Sequence, residues 1–75
     1  MTKEMIERVK SEFESIPYVA SVEFSENDIG SFFDIGVNSR ASVTFATHNL
    51  SAIFNVVVVH HPTRKGHVQV FVPPF

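Results

Sequence analysis

Four histidines stand in this 75-residue chain, and three of them, His60, His61 and His67, lie close together in its C-terminal half. Imidazoles ligate metals, move protons and change charge near neutral pH, so this group is the first place to look for chemistry. Adjacent residues of a strand point to opposite faces, which separates His60 from His61. A loop at 62–66 instead places His61 opposite His67, with two imidazoles on one face. Tetrahedral zinc takes four ligands, or three and a water. The nearby chain offers neither an acid nor a cysteine to complete that shell, unless a second subunit brings one. No metal and no cofactor are expected. His48, His60, His61 and His67 read as strand-end and loop side chains with wet tips.

Nucleophilic catalysis needs a nucleophile, a base and a group that orients the base. Serines and histidines are present, but no strand-turn-helix nucleophile elbow is. The orienting acid would have to come from the first 34 residues, which hold all of the chain's Asp and Glu. Three glycines, Gly30, Gly36 and Gly66, make no phosphate-cradling loop. The chain is expected not to be an enzyme, and no catalytic residue is assigned.

Arg40, His61, Arg64, Lys65 and His67, with His60 beside them, are the candidate contacts for an anion such as nucleic-acid phosphate. Six Lys and Arg in all and a pI near 6.0 make a weak footprint for that role. Phe32 and Phe71 on a sheet could stack bases, but the aromatic motif of RNA-binding sheets is missing. The acids offer the converse. Glu4, Glu7, Glu12, Glu14, Glu23, Glu26 and Asp28 could face a basic protein, although Lys3, Arg8 and Lys10 interrupt them. All eight acids precede Asn38, together with those three bases, whereas Arg40, Arg64 and Lys65 follow with no acid at all. Such asymmetry suits a charged partner or self-association through complementary faces. It also suits a solvated helix that collected acids while the strands excluded them.

The elements that must position these residues begin with a helix over 2–16. Met5, Ile6, Val9, Phe13 and Ile16 form its apolar stripe, with Thr2 as N-cap and Glu4 in the first turn. Pro17 stops it. Alternation then predicts strands over 18–25, 31–38 and 41–47. The run Ser25 to Gly30 and the tripeptide Asn38-Ser39-Arg40 supply the turns. Residues 48–51 read as a loop, with one helical turn from Asn49 through Phe54 as the alternative. A strand over 53–61 follows, because four consecutive valines, Val56 to Val59, disfavour a helix. Its unbroken apolar run implies burial on both faces. After the 62–66 loop, a strand over 67–72 turns Val68, Val70 and Val72 one way and His67, Gln69 and Phe71 the other. Pro73 and Pro74 end pairing before Phe75. No internal repeat is visible. The expected architecture is α+β, a single domain over 1–75: one N-terminal helix packed on an antiparallel meander of about five strands.

Composition bounds the function. Hydrophobic residues make up 44% and charged residues 19%, which excludes an intrinsically disordered chain. Zero cysteines exclude a disulfide scaffold. No apolar run approaches the ~20 residues of a membrane helix. The first residues lack a secretory leader's apolar stretch, which points to the cytoplasm. One helix about 10 Å wide cannot cover a five-stranded sheet roughly 20 Å across. The other face carries polar residues in its first strands: Ser21, Glu23, Asp34, Asn38, Ser42 and Thr44. Farther on, the valine strand turns out either Phe54, Val56 and Val58 or Ile53, Val57 and Val59, joined by Phe71, Phe32 and Val19. Exposed apolar surface of that extent is unusual on a monomer. The sheet either curls to hide it or meets another chain. The function expected is therefore a small non-enzymatic interaction module, homodimeric or bound to a protein partner through Phe32, Ile53, Val57, Val59 and Phe71. The alternative is a nucleic-acid-binding domain using the basic hairpin 60–67.

Overall fold

The computed structural model describes residues 2–28 and 30–72. The chain is α+β, with two helices and a four-stranded antiparallel sheet: α1 Lys3–Glu14, β1 Val19–Asn27, β2 Gly30–Val37, α2 Val43–Phe54, β3 Val57–His60 and β4 His67–Phe71. Pro73, Pro74 and Phe75, expected to end the last strand, lie outside the described residues, as does Ile29 in the β1–β2 turn.

α1 forms as its stripe predicts. Thr2 is extended, and its side chain accepts a hydrogen bond from the Met5 amide, closing one of the open donors of the first turn. Phe13 is buried, and Ile6, Val9 and Ile16 pack around the core with it. β1 and β2 pair with Val22 opposite Ile35 and Phe24 opposite Phe33, so one parity of each strand faces the helices. A bulge between Val19 and Ser21 shifts the start of β1, where Tyr18 turns inward.

The second helix corrects the expectation of a strand over 41–47. Val43, Phe45 and Thr47 alternate with Ser42, Thr44 and Ala46, yet Ala46 and Leu50 are the buried pair, one helical turn apart. Ser42 caps α2 as Thr2 caps α1, accepting from the Phe45 amide, and Asn55 ends it in the left-handed region. The local β preference of Val43, Thr44 and Thr47 gives way to the packing of that apolar face. Asn38, Ser42 and Thr44 consequently lie off the sheet. The strand expected over 53–61 shrinks to Val57–His60, since Ile53 and Phe54 complete α2. Burial on both faces of it does not hold: Val58 is buried, whereas Val57 and Val59 are 64% and 39% exposed.

Strand order is β1-β2-β4-β3, not a meander. The chain makes a helix and a hairpin, then a helix and a hairpin again, and the second hairpin inserts its later strand beside β2. The repeat absent from the sequence is present in the topology, with β2 and β4 central and β1 and β3 at the edges. Both helices cover one face, and their C-terminal turns touch through Phe13 and Phe54, ring centroids 4.8 Å apart. Phe13, Phe33, Ile35, Leu50, Val68 and Val70 are the largest fully buried side chains. Val19 packs against this core rather than on the uncovered face. Among the described residues no helix is long and apolar enough to cross a membrane.

Tyr18, the only tyrosine, bridges the layers by donating from its hydroxyl to Asn49 Oδ1 of α2. Burial pushes its pKa above the ordinary value of 10.0. The folded state therefore holds the phenolic proton more tightly than the unfolded chain. Its contribution is intact below pH 10 and is lost as pH rises through the folded pKa. Ultraviolet titration is expected to show a midpoint above that of the urea-unfolded protein; coincident midpoints would contradict this.

Candidate functional site

The face turned away from the helices is ordered by the register of the strands. Ser25, Phe32, Phe71 and Val57 lie across the four strands in one row. Glu23, Asp34, Gln69 and Val59 make the next. Ser21, Gly36 and His67 make the third, which His61 completes by donating its amide to the His67 carbonyl at 3.0 Å. One end and the β3 side of this open face are thus apolar, and the other end is polar and charged. Phe32 and Phe71, on the two central strands, bring their ring centroids to 5.9 Å.

The charged end is built around Asp34, whose side chain is only 9% exposed. A carboxylate so far out of water needs donors. Arg64 Nη1 lies 2.7 Å from Oδ2, and His67 Nδ1 lies 2.9 Å from Oδ1. With Asp34 ionised and accepting only, His67 Nδ1 carries the proton. His61 Nδ1 accepts from the backbone amides of Thr63 and Arg64, at 3.1 and 3.0 Å, which folds the 62–66 loop. That leaves the proton on His61 Nε2, which faces Asp34 Oδ2 at 3.7 Å. Arg64 also reaches Glu23 of β1 at 3.8 Å. The Asp34 carboxylate therefore clamps the β3–β4 loop back onto the sheet.

Gly36 makes room for the clamp. A Cβ there would come 2.5 Å from Ser21 Oγ and 3.1 Å from His67 Cε1. Gly36→Ala is expected to push the imidazole off Asp34 and cost about 1–3 kcal/mol. Urea denaturation measures the loss, and an unchanged His67 imidazole spectrum would contradict the displacement.

The residues singled out in the sequence are thus divided. His61 and His67 do stand opposite one another, 6.4 Å between ring centroids, with His60 on the other parity. His61, Arg64 and His67 converge on Asp34. Lys65 is exposed at the loop, and Arg40 lies in the β2–α2 turn, its amide bonded to Asn38 Oδ1. Phe32, Phe71, Val57 and Val59 share the open face. Ile53 does not: it is 59% exposed on α2. Asp34 is the residue that sequence reasoning missed as a partner for the histidines, because only the β2–β4 pairing brings the acid-bearing half to them. Among the described residues no group of three or more His, Asp or Glu has a metal-holding arrangement.

No family model, curated protein or solved structure matches this chain.

Proposed function

We propose that the protein is a small non-enzymatic interaction module that uses the open face of its sheet to bind protein, either itself or another chain. The observation that carries this reading is the contiguous apolar band of Phe32, Phe71, Val57 and Val59 on the side away from both helices. Among the described residues these side chains do not belong to the core cluster, and apolar surface outside the core is characteristic of docking sites. Asp34 and the loop amides hold the neighbouring imidazoles through Nδ1, which makes both rings part of the clamp on the 62–66 loop.

Sedimentation velocity over a concentration series, with affinity capture from the native host, tests this. Wild type is expected to form an oligomer or retain a specific protein, and Phe32→Ala, while folding normally, to lose the retained protein or, where the face itself self-associates, the oligomer. Identical assembly and capture by both proteins would contradict it.

One observation favours a second reading, in which single-stranded nucleic acid stacks on the sheet: the phenylalanines occupy adjacent central strands. Against it, Glu23 and Asp34 form the next row and compensate Arg64. Salt-dependent binding of single-stranded oligonucleotides that Phe71→Ala abolishes would favour this reading.

A further inference from the structure

The two edges of the sheet are not alike. β1 carries Glu23 and Glu26 and is bent by its bulge, and both devices discourage pairing with another chain. β3, Val57–His60, has no acid, no proline and no bulge, and only its shortness protects it. Its free backbone groups can be assigned. His61 donates its amide to the His67 carbonyl, and antiparallel ladders alternate between bonded and non-bonded pairs. Val57, Val59 and His61 therefore direct their amides and carbonyls toward β4. Val58 and His60, with Val56 in continuation, direct theirs outward.

We infer that a second copy of this chain pairs with β3 edge to edge, antiparallel, about a two-fold axis normal to the sheet at Val58. This rests on the reading of the sheet as an interaction surface and names the occupant of its outer edge. Paired residues of an antiparallel ladder point to the same face, so such an axis must relate positions of equal parity. The register that engages all three outward residues sets Val58 against Val58 of the second copy and Val56 against His60 of the second copy. These are the bonded pairs that the outward groups require. Val57 then lies beside Val59 of the second copy on the open face, and the exposed valines of both copies adjoin. The two apolar bands join into one across a continuous sheet, with all helices on its other side. The edge is compatible with itself: Val58 meets Val58, Val57 meets Val59, Val56 meets His60, and no acid or fixed like charges oppose. α2 packs over β3 and runs directly into it, its last turn ending at Phe54 with two residues between it and the start of the strand at Val57. An antiparallel pair of identical strands is also closed, which limits assembly to a dimer.

His60→Pro tests the pairing. It removes an outward donor while leaving the β3–β4 ladder its bonds, and the His60 side chain is exposed. By symmetry each copy loses one hydrogen bond, so the dimer is expected to weaken about 30-fold in sedimentation equilibrium. Amide exchange gives an independent readout: Val58 and His60 become protected as wild-type concentration rises, and Val57→Lys abolishes that protection without unfolding. A wild type that stays monomeric at high micromolar concentration overturns the inference, while the face reading still rests on partner capture. A dimer indifferent to H60P but lost in F32A overturns edge pairing and keeps the face. A dimer lost in H60P and kept in F32A establishes the edge.

Discussion

Val58→Asp will lower the melting temperature by at least ~15 °C, whereas Val57→Asp, one residue earlier, will melt close to wild type. Val58 is 9% exposed and belongs to the core cluster with Val70, its partner across the ladder. A carboxylate placed there has no donor to meet it, and an uncompensated buried charge costs about 3–5 kcal/mol. A chain of this size has roughly 4–11 kcal/mol of total stability, so at least about a quarter of it goes. Val57 projects into solvent from the open face, where an added charge changes stability by about 0.5 kcal/mol. What Val57→Asp removes is assembly, because it places an acid at the β3 end of the apolar band, where the side chain is most exposed. Paired thermal melts by circular dichroism check the first half, and sedimentation checks the second. Equal destabilisation by both substitutions would mean that β3 is covered on both sides.

The same contrast is expected on β2. Phe33 is fully buried and meets Phe13 and Phe24 edge-on, with ring centroids 5.4 and 5.1 Å away. Phe33→Ala opens a cavity where both helix-side aromatics meet and is expected to cost about 3–5 kcal/mol. Phe32→Ala, the neighbouring position on the opposite face, loses its packing on Phe71 and is expected to cost about 1 kcal/mol. Urea denaturation of the two variants separates them. The functional expectation runs the other way, since Phe32→Ala folds and fails to bind.

Much of this two-sidedness was legible in the sequence. The stripe Ile6, Val9, Phe13, Ile16, the alternation of Phe33 and Ile35 against Phe32 and Asp34, and that of Val68 and Val70 against His67 and Phe71 each identify a buried side. The loop length that sets His61 against His67 was readable as well. Two features were not. Residues 43–54 carry β-branched and aromatic side chains at alternating positions, and that local pattern conceals the turn-spaced pair Ala46 and Leu50. Once α2 is taken for a strand, the strand count and the meander follow, and β4 falls at the far edge of the sheet. Asp34 then has no reason to meet His67 or Arg64. The clamp depends on the insertion of β4 beside β2, a contact between residues some thirty positions apart that no local spacing encodes. The charge asymmetry has a similar resolution. Part of it is met inside the fold, where Asp34 and Glu23 of the acidic half hold Arg64 of the basic half.

Residue-resolved nuclear magnetic resonance most directly tests whether the open face is where this protein meets protein. Spectra of labelled chain are recorded as its own concentration rises and as a captured partner is added. The expected result is that signals of Phe32, Val57, Val59 and Phe71 move together while those of α1 stay fixed. Changes centred on α1, or spread evenly over both layers, would contradict it.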